Sequence, residues 1–257
     1  MNRSELQQYV ERLGLDEVPA TTAEGLAALQ RAHLANVPFE NMDVVEGRLP
    51  LALDEAALFD KIVRRRRGGI CYELNLLFAA ALQAMGFEVA LKGGRHPKYG
   101  DDMDHLFLLV DVPGETGAPW LVDVGFAANF AEPLRFAVGE TQDDGIDRYV
   151  LEQASEVGEG YMRLSRIVGL EGDAEPAEMF AFGPQEFASE DCRARCDWFC
   201  TAPESRFTQG PLVTLQGENG RRTLSARHFI ETRAGKRTTI DIESSEQFER
   251  YLREMFA

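Results

Sequence analysis

The run Arg64-Arg65-Arg66-Arg67-Gly68-Gly69-Ile70-Cys71-Tyr72-Glu73-Leu74-Asn75 decides how the chain is read. From Cys71 onward Leu74, Leu77, Phe78, Ala81, Leu82 and Met85 recur at helical spacing, and Gly86 supplies a left-handed exit, so a helix is expected over 71–85. Cys71 therefore stands where a Gly-Gly turn becomes an apolar helix. The unpaired N–H groups and the positive dipole end of such a helix favour a thiolate over a thiol. Two glycines let the backbone approach a ligand closely, and the first N–H groups of the helix can bind an oxyanion. The competing reading is a buried small hydrophobe, the commoner fate of a cysteine beside an apolar helix.

Upstream the pattern stays helical. Ser4 with Gln7 reads as a capping box ahead of Leu6, Tyr9, Val10 and Leu13, with Gly14 as the stop. Thr21 with Glu24 repeats the device before Leu26, Leu29, His33 and Leu34, Pro38 closes that element, and Asp54 caps a third helix carrying Leu58, Ile62 and Val63. After Gly86 the period changes: 87–91 alternates, and 105–112 and 120–124 are short apolar runs that read as buried strands. Segments 149–151 and 161–168 flank a Gly-rich turn and suggest a hairpin. The last part holds a helix-like stretch over 192–200, a hairpin turning at Asn219-Gly220, a strand over 238–242, and a final helix capped by Ser244. The order is helices, then strands, then a mixed α/β tail.

Charge excludes several functions. The 257 residues carry 27 Lys+Arg against 43 Asp+Glu, a formal −16, with fourteen acids and three bases between 140 and 191. That surface repels phosphate backbones and anionic lipids, so neither nucleic acid nor a membrane is expected as a partner. The longest uninterrupted apolar run, 76–82, is seven residues, far short of a bilayer span. No apolar stretch follows Met1, so no export signal is read, and a reducing, cytoplasmic setting is expected for the four cysteines. Phosphate-loop, dinucleotide and serine-hydrolase motifs are missing. Self-association stays open.

A nucleophilic thiolate needs a base, and the base an orienter. Of four histidines, His33 lies on an apolar helix face, His96 precedes Pro97 in a loop, and His228 follows basic residues near a strand edge. His105 opens an apolar strand, where an imidazole can face a cleft while its neighbours anchor in the core. Asp123 is the only charge in Trp120-Leu121-Val122-Asp123-Val124-Gly125-Phe126. A buried carboxylate is costly unless paired. Either an imidazolium partner or backbone N–H groups in a turn would satisfy it. Cys71, His105 and Asp123 together make a workable thiol-transferase or thiol-protease arrangement.

Two clusters invite a metal reading. Cys192, Cys196 and Cys200 fall near one helical stripe, with His228 as a conceivable fourth ligand. Structural zinc, however, favours C-x2–4-C pairs separated by a longer loop, and Trp198 and Phe199 read as packing. Asp101, Asp102 and Asp104 could face a hard cation, but no glycine sits where a calcium loop needs one, and they read as solvated turn acids. No metal is expected.

The stretch Arg67 to Asn75 also resembles the R-G-G-x-C-F/Y-E-x-N signature of the arylamine N-acetyltransferase family. Pro38-Phe39-Glu40-Asn41-Met42-Asp43 resembles its P-F-E-N-L-D segment, Val122-Asp123-Val124-Gly125-Phe126 its V-D-V-G-F-G motif, and Pro203-Glu204-Ser205-Arg206-Phe207 its P-x-S-x-F stretch. The four stand in register over roughly 20–220. The resemblance implies an α+β fold: a helical first domain (1–86), an antiparallel β-barrel second domain (87–190) and an α/β lid (191–257), around a cysteine-protease- or transglutaminase-like catalytic core. It implies ping-pong transfer of an acetyl group from acetyl-CoA, through Cys71 with His105 as base and Asp123 as orienter, to an arylamine, arylhydrazine or N-hydroxyarylamine. A relative of the family acting as an amide synthase on a carrier-bound thioester is the alternative. By the same resemblance Phe39, Phe126 and Phe207 line the acceptor pocket, while Trp198 and Ser205, within 198–208, face the coenzyme. The second glycine of the family's G-F-G is Ala127 here, so the acceptor pocket is expected to be narrower or reshaped. Arg67 is expected to pair with Glu40; Arg64 to Arg66 read as a solvated helix end, with the arginine run also a candidate for the coenzyme entrance.

Overall fold

A computed structural model describes residues 1–127, 130–168, 175–217, 220–233 and 236–256. The chain starts with α1 (Arg3–Arg12), α2 (Ala23–Asn36), the short β1 (Phe39–Glu40), the one-turn α3 (Met42–Val45), and α4 (Glu55–Phe59), which runs into a π-helical turn (Asp60–Arg64). α5 (Cys71–Met85) follows and ends, as its sequence predicts, at Gly86 with φ 94°. Asp54 caps α4 by accepting from Ala57 N at 3.0 Å. The first two caps differ by one or two residues from expectation. Asn2, not Ser4, closes the box with Glu5, and Thr22, not Thr21, caps α2. Thr21 Oγ1 instead donates to the Met85 carbonyl at 2.8 Å, tying the end of α5 to the start of α2.

Two four-stranded antiparallel sheets come next. The first is β2 (Glu88–Gly94), β3 (His105–Asp111), β4 (Trp120–Val122) and β5 (Leu134–Arg135), in that order. The second is β6 (Thr141–Asp143), β7 (Arg148–Gln153), β8 (Met162–Val168) and β9 (Glu175–Phe182). The expected barrel is corrected: among the described residues no strand ladder joins the two sheets, which pack face to face and share the isolated bridge of Arg95 with Ala181. A barrel needs a continuous ladder around its circumference, and β5 and β6, at two and three residues, are too short to carry one.

α6 (Cys192–Thr201) leads into a sheet ordered β1-β10-β11-β12-β13, formed with β10 (Leu212–Gly217), β11 (Gly220–Ser225), β12 (His228–Arg233) and β13 (Lys236–Asp241). α7 (Ser245–Phe256) packs against it through Val213, Leu224, Phe229 and Phe256. The hairpin between β10 and β11 forms; Asn219 lies outside the described residues. β1 pairs with β10, Phe39 opposite Thr214, so the first stretch of chain supplies an edge of this last sheet.

β3 explains itself. Leu106, Leu108 and Val110 face α5 and the helical core, while Phe107 faces the second sheet with Leu121, Tyr149, Phe180 and Phe182. Both faces are buried, which is why its sequence is an unbroken apolar run rather than an alternation.

Candidate active site

The head of α5 is fixed from below. Phe39 bridges Gly69, and Glu40 N donates to the Gly69 carbonyl at 2.9 Å. A Cβ on Gly68 would lie 1.9 Å from the Pro38 carbonyl oxygen, so only glycine lets these segments run side by side. Arg67 donates from Nε and Nη2 to Glu40 Oε1 at 2.9 and 2.7 Å, and reaches Asp43 at 3.2 Å. Lys61 joins Asp43 and Glu73 at 2.7 Å each, and Glu73 accepts from Ile70 N at 3.1 Å. The expected Arg67–Glu40 pair is thus one link in a half-buried ionic chain ending at the helix that carries Cys71. Glu40→Gln leaves Arg67 with Asp43 alone and should cost about 1–3 kcal/mol of stability. An unchanged melting temperature in that variant would show that the link does not hold the junction.

Cys71, the first residue of α5, is 3% exposed. His105 opens β3 and Asp123 follows β4. Because β3 and β4 run antiparallel with Leu108 opposite Val122, the start of one lies beside the end of the other. His105 Nε2 and Asp123 Oδ2 are 2.7 Å apart, and His105 lines the same cleft as Cys71, whose sulfur acts on the imidazole. With Nε2 committed to Asp123, Nδ1 is the ring nitrogen left for the sulfur. Asp123, fully buried, accepts at Oδ1 from Asn75 Nδ2 at 2.9 Å and from Gly125 N at 2.8 Å. The two alternatives for this carboxylate therefore both hold: it has an imidazole partner and a backbone N–H in a turn.

Two amides brace it. Asn75, one turn along α5 from Cys71, donates to the Leu106 carbonyl at 2.6 Å and accepts from Val124 N at 3.0 Å. Gln30 accepts from Asp123 N at 3.2 Å and donates to the Phe130 carbonyl at 3.0 Å. A Cβ on Gly125 would lie 2.6 Å from both Cys71 Cα and Asn75 Nδ2, so the loop after β4 can cross the helix head only as glycine.

Burial opposes a charge on His105, but the Asp123 carboxylate and the Cys71 sulfur outweigh it and lift the imidazole from 6.5 to about 10. A proton held more tightly in the folded chain stabilises the fold. That contribution is complete below about pH 6.5 and is lost as the pH rises through about 10. The stability gap between the unsubstituted protein and His105→Gln, from urea melts, should be largest below pH 6.5 and shrink steadily toward pH 10. A gap that stays flat across that window contradicts the ion pair.

These groups open onto a cleft of about 240 Å³. Phe39, Phe126 and Phe207 all line it. Phe126 meets His105 edge-on with ring centroids 5.0 Å apart, and Phe39 and Phe207 lie 5.8 Å apart. The rest of the lining includes Phe199, His96, Tyr99, Ala127, Arg206 and, from the inner face of β10 and β11, Leu212, Thr214, Arg221 and Thr223.

Ser205 is fully buried: its hydroxyl donates to the Phe199 carbonyl at 2.6 Å and accepts from Phe207 N at 3.1 Å. Trp198 packs its edge on Tyr99 and stacks under Arg195. The segment 198–208 instead offers Phe199, Arg206 and Phe207 to the cleft. Arg64, Arg65 and Arg66 are exposed and none lines it; the cations that do are Arg206 and Arg221.

Asp104 departs from its reading as a solvated acid. It is buried, accepts from His96 N at 3.2 Å and Asp101 N at 2.9 Å, and pairs with Arg195 Nε at 2.9 Å, which folds the 96–104 loop over the cleft. His33 is a core residue bonded to Tyr9 at 2.6 Å, and burial lowers it to about 3. Cys192, Cys196 and Cys200 are buried free thiols in α6. Among the described residues no group of His, Cys, Asp and Glu is placed to hold a metal, and no helix is long and apolar enough to cross a membrane.

The α+β fold matches that of solved transferases. A family model described as N-acetyltransferase matches residues 22–257. The arylamine N-acetyltransferase of Mycolicibacterium smegmatis is 33% identical over 251 residues, covering 95% of this chain and 88% of that protein. The solved arylamine N-acetyltransferase from Salmonella typhimurium superposes with a TM-score of 0.89 at 30% identity, covering 100% of this chain and 92% of the other. That of Mycobacterium marinum, solved in complex with CoA, superposes with a TM-score of 0.88 at 29% identity, covering 98% and 92%. The chain belongs to the arylamine N-acetyltransferase family.

Proposed function

We propose that this chain moves an acetyl group from acetyl-CoA to the nitrogen of an arylamine or arylhydrazine by a ping-pong route, with Cys71, His105 and Asp123 as the catalytic groups. The observation that carries the reading is the imidazole of His105, paired with a fully buried carboxylate and lining one cleft with Cys71, a cleft walled by phenylalanines. Cys71 Sγ attacks the thioester carbonyl; the bond to the coenzyme sulfur breaks, and the leaving thiolate takes the proton from His105. Acetyl-Cys71 is then attacked by the amine. His105 accepts the amine proton, the bond to Cys71 breaks, and the thiolate–imidazolium pair is restored. The first N–H groups of α5 face the carbonyl oxygen as it gains charge.

Phe39, Phe126 and Phe207 hold the flat ring of the acceptor. Ser205 acts as a positioning residue through Phe207, and Trp198 through Tyr99. Arg206, exposed at the mouth beside Tyr99 and His96, faces the polyanionic coenzyme as it enters. The chain divides into a helical part (1–86), a two-sheet part (87–190) and a lid (191–257), whose meeting point is this thiol-protease- or transglutaminase-like core. The same three groups would serve an amide synthase fed by a carrier-bound thioester. The relative solved with CoA supports the free coenzyme as donor. Four free cysteines and the need for acetyl-CoA support placement in the cytoplasm.

Initial rates measured over a grid of acetyl-CoA and aromatic amine concentrations test the reading. Parallel reciprocal plots with N-acetylated amine as product are expected; intersecting plots, or no product, would overturn it.

A further inference from the structure

Arg221 is the cation of the cleft that the reaction above does not use. It sits on β11 with Thr223, two residues on and therefore on the same face, and Thr223 lies opposite Thr214 on β10 with their hydroxyls 3.3 Å apart. The guanidinium donates to the Ala127 carbonyl at 3.3 Å, one residue beyond Phe126, whose ring meets His105. No carboxylate among the described residues pairs with it. Asp147, the carboxylate whose charge acts on it, is joined to Arg166 at 3.4 Å. Burial and the neighbouring Arg166 charge push its pKa down, against the pull of Asp147. Arg206, by contrast, is exposed at the rim.

Two anions could meet Arg221: a ring substituent of the acceptor or a phosphate of the coenzyme. The position favours the first. Arg221 and Cys71 line one cavity of about 240 Å³. The part of acetyl-CoA that must lie at Cys71 is the uncharged pantetheine end, whose long arm sets the phosphates well away from the sulfur. A single aromatic ring with its amine at acetyl-Cys71 lies in the cleft that Arg221 also lines, where a ring substituent can meet the guanidinium.

Resting on the acetyl-transfer reading, we propose that Arg221, with the Thr214 and Thr223 hydroxyls beside it, is a specificity-determining site that selects arylamines or arylhydrazines carrying a carboxylate on the ring. Arginine binds carboxylate through paired N–H donors, and a site built for that contact rejects an analogue lacking the charge.

The test compares 4-aminobenzoate with 4-aminobenzamide, nearly identical in shape, on the full-length protein and on Arg221→Gln, Arg221→Lys and Arg221→Glu. The unsubstituted protein should prefer the acid in kcat/KM. Arg221→Gln should cut the acid-to-amide ratio by about 10- to 100-fold, mainly through KM. Arg221→Lys should keep part of the preference, and Arg221→Glu should reverse it in favour of 4-(aminomethyl)aniline. An acid-to-amide ratio that does not move in any folded variant would overturn the inference. So would a rise in KM for acetyl-CoA with slowed acetyl-enzyme formation, which would assign Arg221 to the coenzyme phosphates. Normal acetyl-enzyme with charge-blind acceptors defeats this inference alone; absence of acetyl-enzyme in the unsubstituted protein defeats the acetyl-transfer reading beneath it.

Discussion

Cys71→Ser is expected to lower acetyl transfer by at least about 10⁴-fold while leaving the fold intact. A serine hydroxyl keeps the size and position of the thiol at the head of α5, so stability should change by no more than about 1 kcal/mol. What it loses is the soft, ionisable sulfur: a hydroxyl cannot form an ion pair with His105 near neutral pH, and it attacks a thioester poorly without one. The remaining thiols cannot substitute. Cys192, Cys196 and Cys200 are buried in α6, and burial pushes Cys192 up to about 12. Iodoacetamide should therefore label Cys71 far faster than the other three. Equal labelling rates would argue that the α5 position confers no reactivity.

The second large effect is expected from Asp123→Asn. Asn75 Nδ2 and Gly125 N both donate to Oδ1, so the amide oxygen of an asparagine must turn to that side and its NH2 group toward His105. Two donors would then face each other at the 2.7 Å contact. The imidazole escapes by moving its proton to Nδ1, which points a hydrogen at the sulfur and removes the base. A rate loss on the order of 10³- to 10⁴-fold follows, as for orienting carboxylates elsewhere. Because the aspartate is fully buried beside an imidazolium, losing the charge should also cost about 3–5 kcal/mol of stability near neutral pH. A variant with near-normal rate would remove Asp123 from the reaction.

Local sequence carried the head of the site well. The α5 limits are legible because Gly-Gly, a periodic apolar face and Gly86 are all local signals, and His105 and Asp123 stand out as polar groups in apolar strands. What holds them there was less legible. Gln30 lies 93 residues from Asp123, and Gln30 looks like any glutamine on a helix. Asp104 reads as a turn acid until Arg195, 91 residues away, is placed beside it. The caps at Asn2 and Thr22 were displaced because adjacent residues are equally competent and Thr21 is drawn to Met85 by tertiary contact. β9 was missed because its first four residues, Glu175 to Glu178, are exposed on both faces and show no alternation. The barrel is an expectation of the resemblance alone, which carries no information on strands of two and three residues. Arg221 carries a local signal: an arginine two residues before a threonine on a strand puts both on one face, and that face is the cleft wall.

The central claim is that acetyl is carried on the Cys71 sulfur. Incubation with acetyl-CoA alone, followed by rapid quenching and peptide mass spectrometry, tests it most directly. The expected result is one acetyl group per chain, located on the peptide bearing Cys71 and discharged when an aromatic amine is added. An unmodified chain, or an acetyl group on Cys192, Cys196 or Cys200, would contradict it.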